Sequence, residues 1–201
     1  MNKIQLLCID LQKDFSAEGG KNYRPHANVE FIKNTIVPFF VDNNLKIAEI
    51  VSDYRQPRPG DRGDSCDPGT DGYTSELDDN VKKMPVWKKC MNSPIWVRDN
   101  IGDASLAPGF PYEDTKELGL WLDSVIGDPK ETDVALIGLT LDCCVLCCAQ
   151  ELSMRGYKVY IIEEGVDVYT GLENEKRQAI DGPIIRNWAS VVKWDELKNR
   201  F

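Results

Sequence analysis

The residues best suited to chemistry surround Cys144, one of four cysteines within six positions. Cys144 follows the apolar run Val134–Gly138 and a turn at 140–142, and the apolar or small residues after it recur at helical spacing. A buried strand, a turn and a helix N-terminus are therefore expected to meet there. Unpaired backbone N–H groups and the helix dipole favour a thiolate, so the pattern predicts a low pKa and a nucleophilic Cys144.

The cysteine cluster has two other interpretations. Its members are Cys143, Cys144, Cys147 and Cys148. On a helix they fall on more than one face, and no second Cys/His group completes a tetrahedral set, which disfavours a metal site. Cys147 and Cys148 lie deeper in the helix, which Arg155 and Gly156 are expected to end, and are expected to be small core residues.

Asp10 stands at the end of another apolar run, Ile4–Ile9. Parallel sheets bind ligands at the carboxyl ends of their strands, so Asp10 and Cys144 can face one crevice if their strands are neighbours. An aspartate that only caps the following loop would give the same pattern.

Two runs resemble the signatures of the isochorismatase-like cysteine hydrolases, the superfamily that includes nicotinamidases and N-carbamoylsarcosine amidases. These are Gly-Leu-Thr-Leu-Asp-Cys-Cys-Val at 138–145 and Asp-Leu-Gln-Lys-Asp-Phe at 10–15. The resemblance, which spans essentially the whole chain, implies that Cys144 is the nucleophile, Asp10 the catalytic carboxylate and Phe15 a pocket residue. It also implies a cis peptide before Thr140, with an oxyanion hole formed by the N–H groups of Thr140 and Cys144.

The family also carries a lysine at the end of a strand, a few residues before a Ser-X-aromatic run. Pro85–Lys89 reads as that strand, and Lys89 with Ser93 and Trp96 is the nearest fit. Lys88 is the alternative, because one residue of register decides which side chain points inward. A solvent-exposed lysine is the default for either position.

This sequence departs from the family pattern at the metal site of nicotinamidases. Their Asp-X-His pair is matched by Asp53, Tyr54 and Arg55, after a strand at Lys46–Val51, and the only histidine, His26, lies elsewhere in an expected loop. Arginine cannot ligate a metal, so the sequence predicts a site without one, although weak affinity at Asp53 stays open. Arg55 is expected to pair with Asp53 or with a substrate carboxylate, and Tyr54 and Trp96 to border the substrate.

Composition narrows the remaining possibilities. The 201 residues, 42% hydrophobic, suit a single domain over 1–201. A net charge of −9 with no basic cluster argues against nucleic acid. No cleavage-site pattern or run of bilayer length is visible, and seven cysteines suit free thiols in a reducing compartment, so a soluble cytoplasmic protein is expected.

Strands alternating with helices predict an α/β fold with a mostly parallel six-stranded sheet. The resemblance implies a three-layer α/β/α sandwich of the isochorismatase-like, Rossmann-like type. The other predicted strands are Tyr157–Ile162 and Ala189–Val192. Helices are expected at Ala27–Asp42, with a kink or break at Pro38, along a face from Leu118 to Ile126, and at Glu173–Ile180; 98–116 is expected to be irregular.

These inferences predict a metal- and cofactor-independent hydrolase of a small amide-like C–N bond, either amide, ureido or carbamoyl. Cys144 would form a thioester, with Asp10 and Lys89 completing a triad. The alternative is a non-catalytic relative that binds a small ligand or a partner protein in the same crevice. A homo-oligomer is possible, and neither membrane nor nucleic acid is an expected partner.

Overall fold

The computed structural model describes residues 2–60 and 63–201. Their strands are β1 (Lys3–Ile9), β2 (Ile47–Ser52), β3 (Lys82–Lys89), β4 (Trp96–Val97), β5 (Tyr112–Glu113), β6 (Thr132–Leu139), β7 (Val159–Asp167) and β8 (Ser190–Val192). Six of them form one sheet in the order β3-β2-β1-β6-β7-β8, with every neighbouring pair parallel. The predicted six-stranded α/β fold is confirmed. The single-domain organisation stays a prediction.

Helices connect the strands and cover both faces of the sheet. They are α1 (Lys13–Ser16), α2 (Ala27–Phe31, Ile32–Ile36 and Val37–Asp42), α3 (Thr115–Trp121 and Leu122–Ile126), α4 (Leu141–Val145 and Leu146–Met154), α5 (Glu173–Asp181), α6 (Pro183–Arg186) and α7 (Trp194–Leu197). The second segment of α2, the second of α3 and the first of α4 are π-helical.

Alternation along the strands divides the core into two layers. In β1, Leu7 and Ile9 pack with α3 and α4, whereas Leu6 and Cys8 pack on the opposite face with α2 and α7. Successive side chains of a strand point to opposite faces, so an all-apolar strand serves both layers. This is the three-layer sandwich implied by the resemblance.

Gly138 sets the approach of β6 to β1. It lies opposite Ile9 in the register and has φ 117°, and a Cβ there would overlap the Ile9 carbonyl oxygen. Only glycine adopts this conformation without strain and leaves room for the neighbouring backbone. The ends of β1 and β6 are thereby held side by side.

Several element boundaries differ from those expected. β3 begins at Lys82, three residues earlier than expected, because it is an edge strand that tolerates lysines and Pro85. α2 continues past Pro38 to Asp42 rather than breaking, since Pro38 lies in the first turn of the segment that follows the π-helical one. In the irregular segment, β4 and β5 form an antiparallel pair.

No helix in the described ranges is long and apolar enough to span a bilayer.

Candidate active site

Strand ends converge at one edge of the sheet and carry the candidate catalytic groups. Asp10 directly follows β1 and has φ 47°, a left-handed conformation that aspartate tolerates. Its carboxylate accepts hydrogen bonds from Lys89 Nζ at 2.7 Å and from Ser52 Oγ at 2.9 Å. Lys89 ends β3, Ser52 ends β2, and all three side chains are completely buried. The structure thus brings Asp10 and Lys89 into direct contact.

Tyr54 connects this ion pair to the candidate nucleophile. Lys89 Nζ lies 2.8 Å from Tyr54 Oη, which lies 3.1 Å from Cys144 Sγ. An ammonium group only donates, so the phenol oxygen accepts from Lys89 and its own proton can point at the sulfur. The sulfur also donates to Asn92 Oδ1 at 3.8 Å, and among the described residues it makes no direct hydrogen bond to Asp10. Asp10 therefore reaches Cys144 through Lys89 and Tyr54.

The register of β3 distinguishes the two candidate lysines. Lys89 pairs with Ser52 and points into the site, whereas Lys88 pairs with Val51 and is only partly buried. The Lys88 side chain lies instead beside Gly102, where a Cβ would meet its Nζ at 2.5 Å. The geometry favours Lys89 as the lysine of the site.

Burial and charge act in opposite directions on Lys89. Burial alone would lower its pKa, but the Asp10 carboxylate, with Cys144 and Tyr54, raises the pKa well above its usual value. For the Tyr54 phenol, whose charged form is the anion, burial raises the pKa well above its usual range. The site therefore holds an ammonium ion and a neutral phenol next to the thiol.

Cys144 and Cys143 are neighbouring thiols joined by a hydrogen bond. The hydrogen bond with Cys143, together with burial, raises the pKa of Cys144 well above its usual value. The same hydrogen bond lowers the pKa of Cys143 to about 7. Burial and the adjacent thiol thus oppose the low pKa expected of Cys144 from its place at a helix N-terminus, and the low pKa stays a prediction. Asn92 Nδ2 donates to Cys143 Sγ at 2.9 Å, so one amide side chain borders both sulfurs.

The backbone before Cys144, the candidate nucleophile, has the form that the resemblance implies. The Leu139–Thr140 peptide bond is cis, and Thr140 is the N-cap residue of α4. Its carbonyl accepts from the amides of Cys143 and Val145, closing the first turn around Cys144. The oxyanion-hole role of the Thr140 and Cys144 amides stays a prediction.

A cavity of about 300 Å³ opens above Cys144. It is lined by four of the residues expected at the site, Phe15, Tyr54, Thr140 and Cys144. The Phe15 ring meets the Tyr54 ring edge to face, with centroids 6.3 Å apart. Such a cavity suits a small substrate with a planar group against the aromatic wall.

Other lining residues were not anticipated from the sequence. They are Asn22, Arg58, Ser65, Asn92, Leu139, Cys143 and Tyr169. Most lie in loops without a motif, and loop conformation brings them together. Three carried a signal: Leu139 and Cys143 lie within the matched run at 138–145, and Asn92 stands directly before Ser93 of the other run.

Arg55 and Trp96, expected to contact the substrate, do not line this cavity. Trp96 borders a separate groove with Phe110. Arg55 forms a bidentate pair with Asp53, with nitrogen–oxygen distances of 2.9 and 2.7 Å. Its remaining donors bind three backbone carbonyls, those of Asn100, Asp103 and Leu106. The guanidinium has no donor left for a substrate. Of the two partners expected for Arg55, Asp53 and a substrate carboxylate, the structure therefore favours Asp53.

The donor set around Asp53 does not fit a transition metal. Although burial opposes it, Arg55 with the Gly102 amide holds the pKa of Asp53 below its usual value, and both carboxylate oxygens accept from these groups. In residues 2–60 and 63–201 no group of three or more His, Cys, Asp or Glu side chains could hold a metal ion. His26 lies in the loop before α2, as expected, where it is the N-cap residue and is buried with Nδ1 3.6 Å from Asp167.

No protein-family model matches the chain, and no curated protein matches it. The comparison with solved structures gives a different result. An isochorismatase-like hydrolase from Alkaliphilus metalliredigens aligns with a TM-score of 0.65 and 17% identity, over 99% of this chain and 96% of that chain.

Two further structures extend this likeness. A pyrazinamidase of Pyrococcus horikoshii in complex with zinc has a TM-score of 0.64 and 15% identity, over 96% of this chain and 99% of that chain. The N-carbamoylsarcosine amidase from Thermoplasma acidophilum has a TM-score of 0.61 and 19% identity, over 95% and 96%. The protein therefore has the fold of the isochorismatase-like hydrolases over nearly its whole length, which confirms the resemblance at the level of the fold.

Proposed function

We propose that the protein is a metal-independent cysteine hydrolase of a small amide-like C–N bond, either amide, ureido or carbamoyl. The observation that carries this proposal is the buried chain of hydrogen bonds from the Asp10 carboxylate through Lys89 and Tyr54 to the Cys144 sulfur. A buried ammonium and a phenol aimed at a thiol at the base of a cavity match the requirements of nucleophilic catalysis. Two of the structural neighbours are amidases by name, which supports this choice of bond.

Attack requires removal of the thiol proton of Cys144. An ammonium proton of Lys89 first passes to Asp10, and the amine so formed takes the Tyr54 phenol proton, with the hydroxyl turned from the sulfur toward Nζ. Tyr54 Oη in turn takes the thiol proton. The net result is a thiolate, a protonated Asp10 and an unchanged Lys89 ammonium. The thiolate then adds to the carbonyl carbon, and the Thr140 and Cys144 amides bind the resulting oxyanion.

Collapse of this intermediate breaks the C–N bond. The proton held by Asp10 returns through Lys89 and Tyr54 to the leaving nitrogen, and ammonia or an amine departs, which leaves a thioester on Cys144. Water then adds to the thioester as its proton passes through Tyr54 and Lys89 to Asp10. The acid product leaves as the proton returns by the same route to the thiol.

Ammonia release after exhaustive chelation tests the reaction and its metal independence together. A panel of small amides, ureas and carbamoyl compounds is expected to include at least one hydrolysed substrate, with a rate that survives chelation, because Arg55 occupies the carboxylate of Asp53. Elemental analysis is expected to find no stoichiometric transition metal. Activity restored only by added zinc or iron would contradict metal independence, and no release from any compound would favour a non-catalytic ligand-binding protein.

Tyr54→Phe is expected to lower kcat by about 10- to 100-fold, because it removes the hydrogen bond to the forming thiolate and interrupts the route to Asp10. Alkylation of Cys144 in this variant should also reach the wild-type rate only at a higher pH. Tyr157→Phe is the matched control, since it removes a phenol that donates to the Gly127 carbonyl outside the cavity. Full turnover with an unaltered pH profile in Tyr54→Phe would exclude this role.

A further inference from the structure

Arg58 is the one side chain with a fixed charge among the residues that line the cavity in the described parts of the chain. No aspartate or glutamate of these ranges lines it. This is unexpected in a chain with a net charge of −9, whose surface would otherwise repel an anion. The cavity is thus locally electropositive.

The Arg58 guanidinium is held close to the reacting groups. Its carbon lies 4.8 Å from the centroid of the Tyr54 ring, the same ring whose hydroxyl contacts Cys144. The Arg58 backbone amide donates to Gln56 Oε1 at 2.8 Å, which fixes the loop below it. The guanidinium therefore lies one tyrosine ring away from the sulfur.

The donors of Arg58 are largely unused within residues 2–60 and 63–201. Nη2 binds the Gly63 carbonyl at 3.2 Å, and Nε is buried without a hydrogen-bond partner in these ranges. No carboxylate of the described residues forms a salt bridge with the side chain. An arginine has five N–H donors. Arg55, three residues earlier, differs in having its donors engaged by Asp53 and backbone carbonyls.

We infer that Arg58 recognises a carboxylate on the substrate, a few bonds from the scissile C–N bond. The substrate class is then that of half-amides and N-carbamoyl derivatives of small carboxylic acids. A planar guanidinium binds a carboxylate through two parallel hydrogen bonds, and the partly buried site strengthens them. This inference takes the proposed hydrolysis as its starting point and adds a specificity-determining residue.

Matched pairs of compounds test it by ammonia release. N-carbamoylglycine is compared with its methyl ester, and succinamate with its methyl ester. Wild type is expected to favour each acid over its ester by about 10- to 100-fold in kcat/KM. Arg58→Gln should erase this preference, chiefly through a higher KM for the acids, and Arg58→Lys should retain part of it. Arg186→Gln, an exposed arginine on α6 outside the cavity, should keep the wild-type ratio.

A second readout does not depend on turnover. Glutarate should protect the cavity thiols from iodoacetamide in wild type but not in Arg58→Gln, whereas dimethyl glutarate should protect neither. Arg58-dependent protection without ammonia release from any compound would refute the proposed hydrolysis and uphold carboxylate recognition. Ammonia release with no preference for the acids, or an equal loss for acid and ester in Arg58→Gln, would overturn the inference and leave the hydrolysis standing.

Discussion

Cys144→Ala is expected to lower turnover by about 10⁴- to 10⁶-fold while the protein stays folded, as is found when a nucleophile is removed from a group of residues that act as a unit. Without the sulfur no thioester can form, and neither Tyr54 nor Lys89 can supply a nucleophile in its place. The measurement is ammonia release, with mass spectrometry of the denatured protein to detect an acyl adduct on wild type.

Two other cysteines provide controls for this variant. Cys147 lies in the same helix, half-buried, and does not line the cavity, so Cys147→Ala should keep most of the activity. Cys143→Ala is the sharper comparison, because Cys143 lines the cavity and has the lowered pKa. If Cys143→Ala abolishes turnover while Cys144→Ala retains it, the nucleophile is Cys143.

Lys89→Met is expected to abolish turnover and to lower the free energy of unfolding by about 3–5 kcal/mol. Methionine keeps the length of the stem but removes the ammonium, which leaves the Asp10 carboxylate buried with only Ser52 as a hydrogen-bonding partner among the contacts described. Leaving a buried charge without its partner lowers the free energy of unfolding far more than breaking an exposed ion pair does. Urea denaturation and ammonia release measure the two effects.

Lys88→Met is the matched control for this change. Lys88 is the neighbouring lysine of the same strand and is partly exposed, so its replacement should alter the free energy of unfolding by no more than about 0.5 kcal/mol. The double variant Asp10→Asn with Lys89→Met should regain part of the lost stability but no activity, because the unpaired charge is gone together with the base. The opposite order of the two lysine variants would assign the role to Lys88.

The sequence carries most of the information about where the strands end. Apolar runs that stop at Asp10 and near Cys144 predict two side chains at one sheet edge, because parallel strands share the polarity of their ends. The choice between Lys88 and Lys89 depends on the register of β3 to within one residue. The sequence does not give that register, whereas the structure does, through the pairing of Lys89 with Ser52. Sequence periodicity predicts that a strand exists more securely than which face each residue takes.

Other features depend on contacts distant along the chain. Tyr54 was expected near the substrate, but its hydrogen bonds to Lys89 and Cys144 join β3 to α4 and have no local signal. Arg58 lies in a loop rich in Pro and Gly, where composition does not determine direction. The pKa values of the two thiols are also tertiary properties, since burial and the neighbouring thiol oppose the effect of the position on the helix.

The pair formed by Arg55 and Asp53 bears on how the finished site is assembled. The Arg55 guanidinium binds the Asp53 carboxylate and also three backbone carbonyls from 100–106. It therefore fastens the 100–106 segment to the end of β2. The positive charge is a covalent part of the chain and arrives with it during synthesis. We therefore expect this wall of the molecule to form without a loading step after folding and independently of the supply of transition metals in the cell.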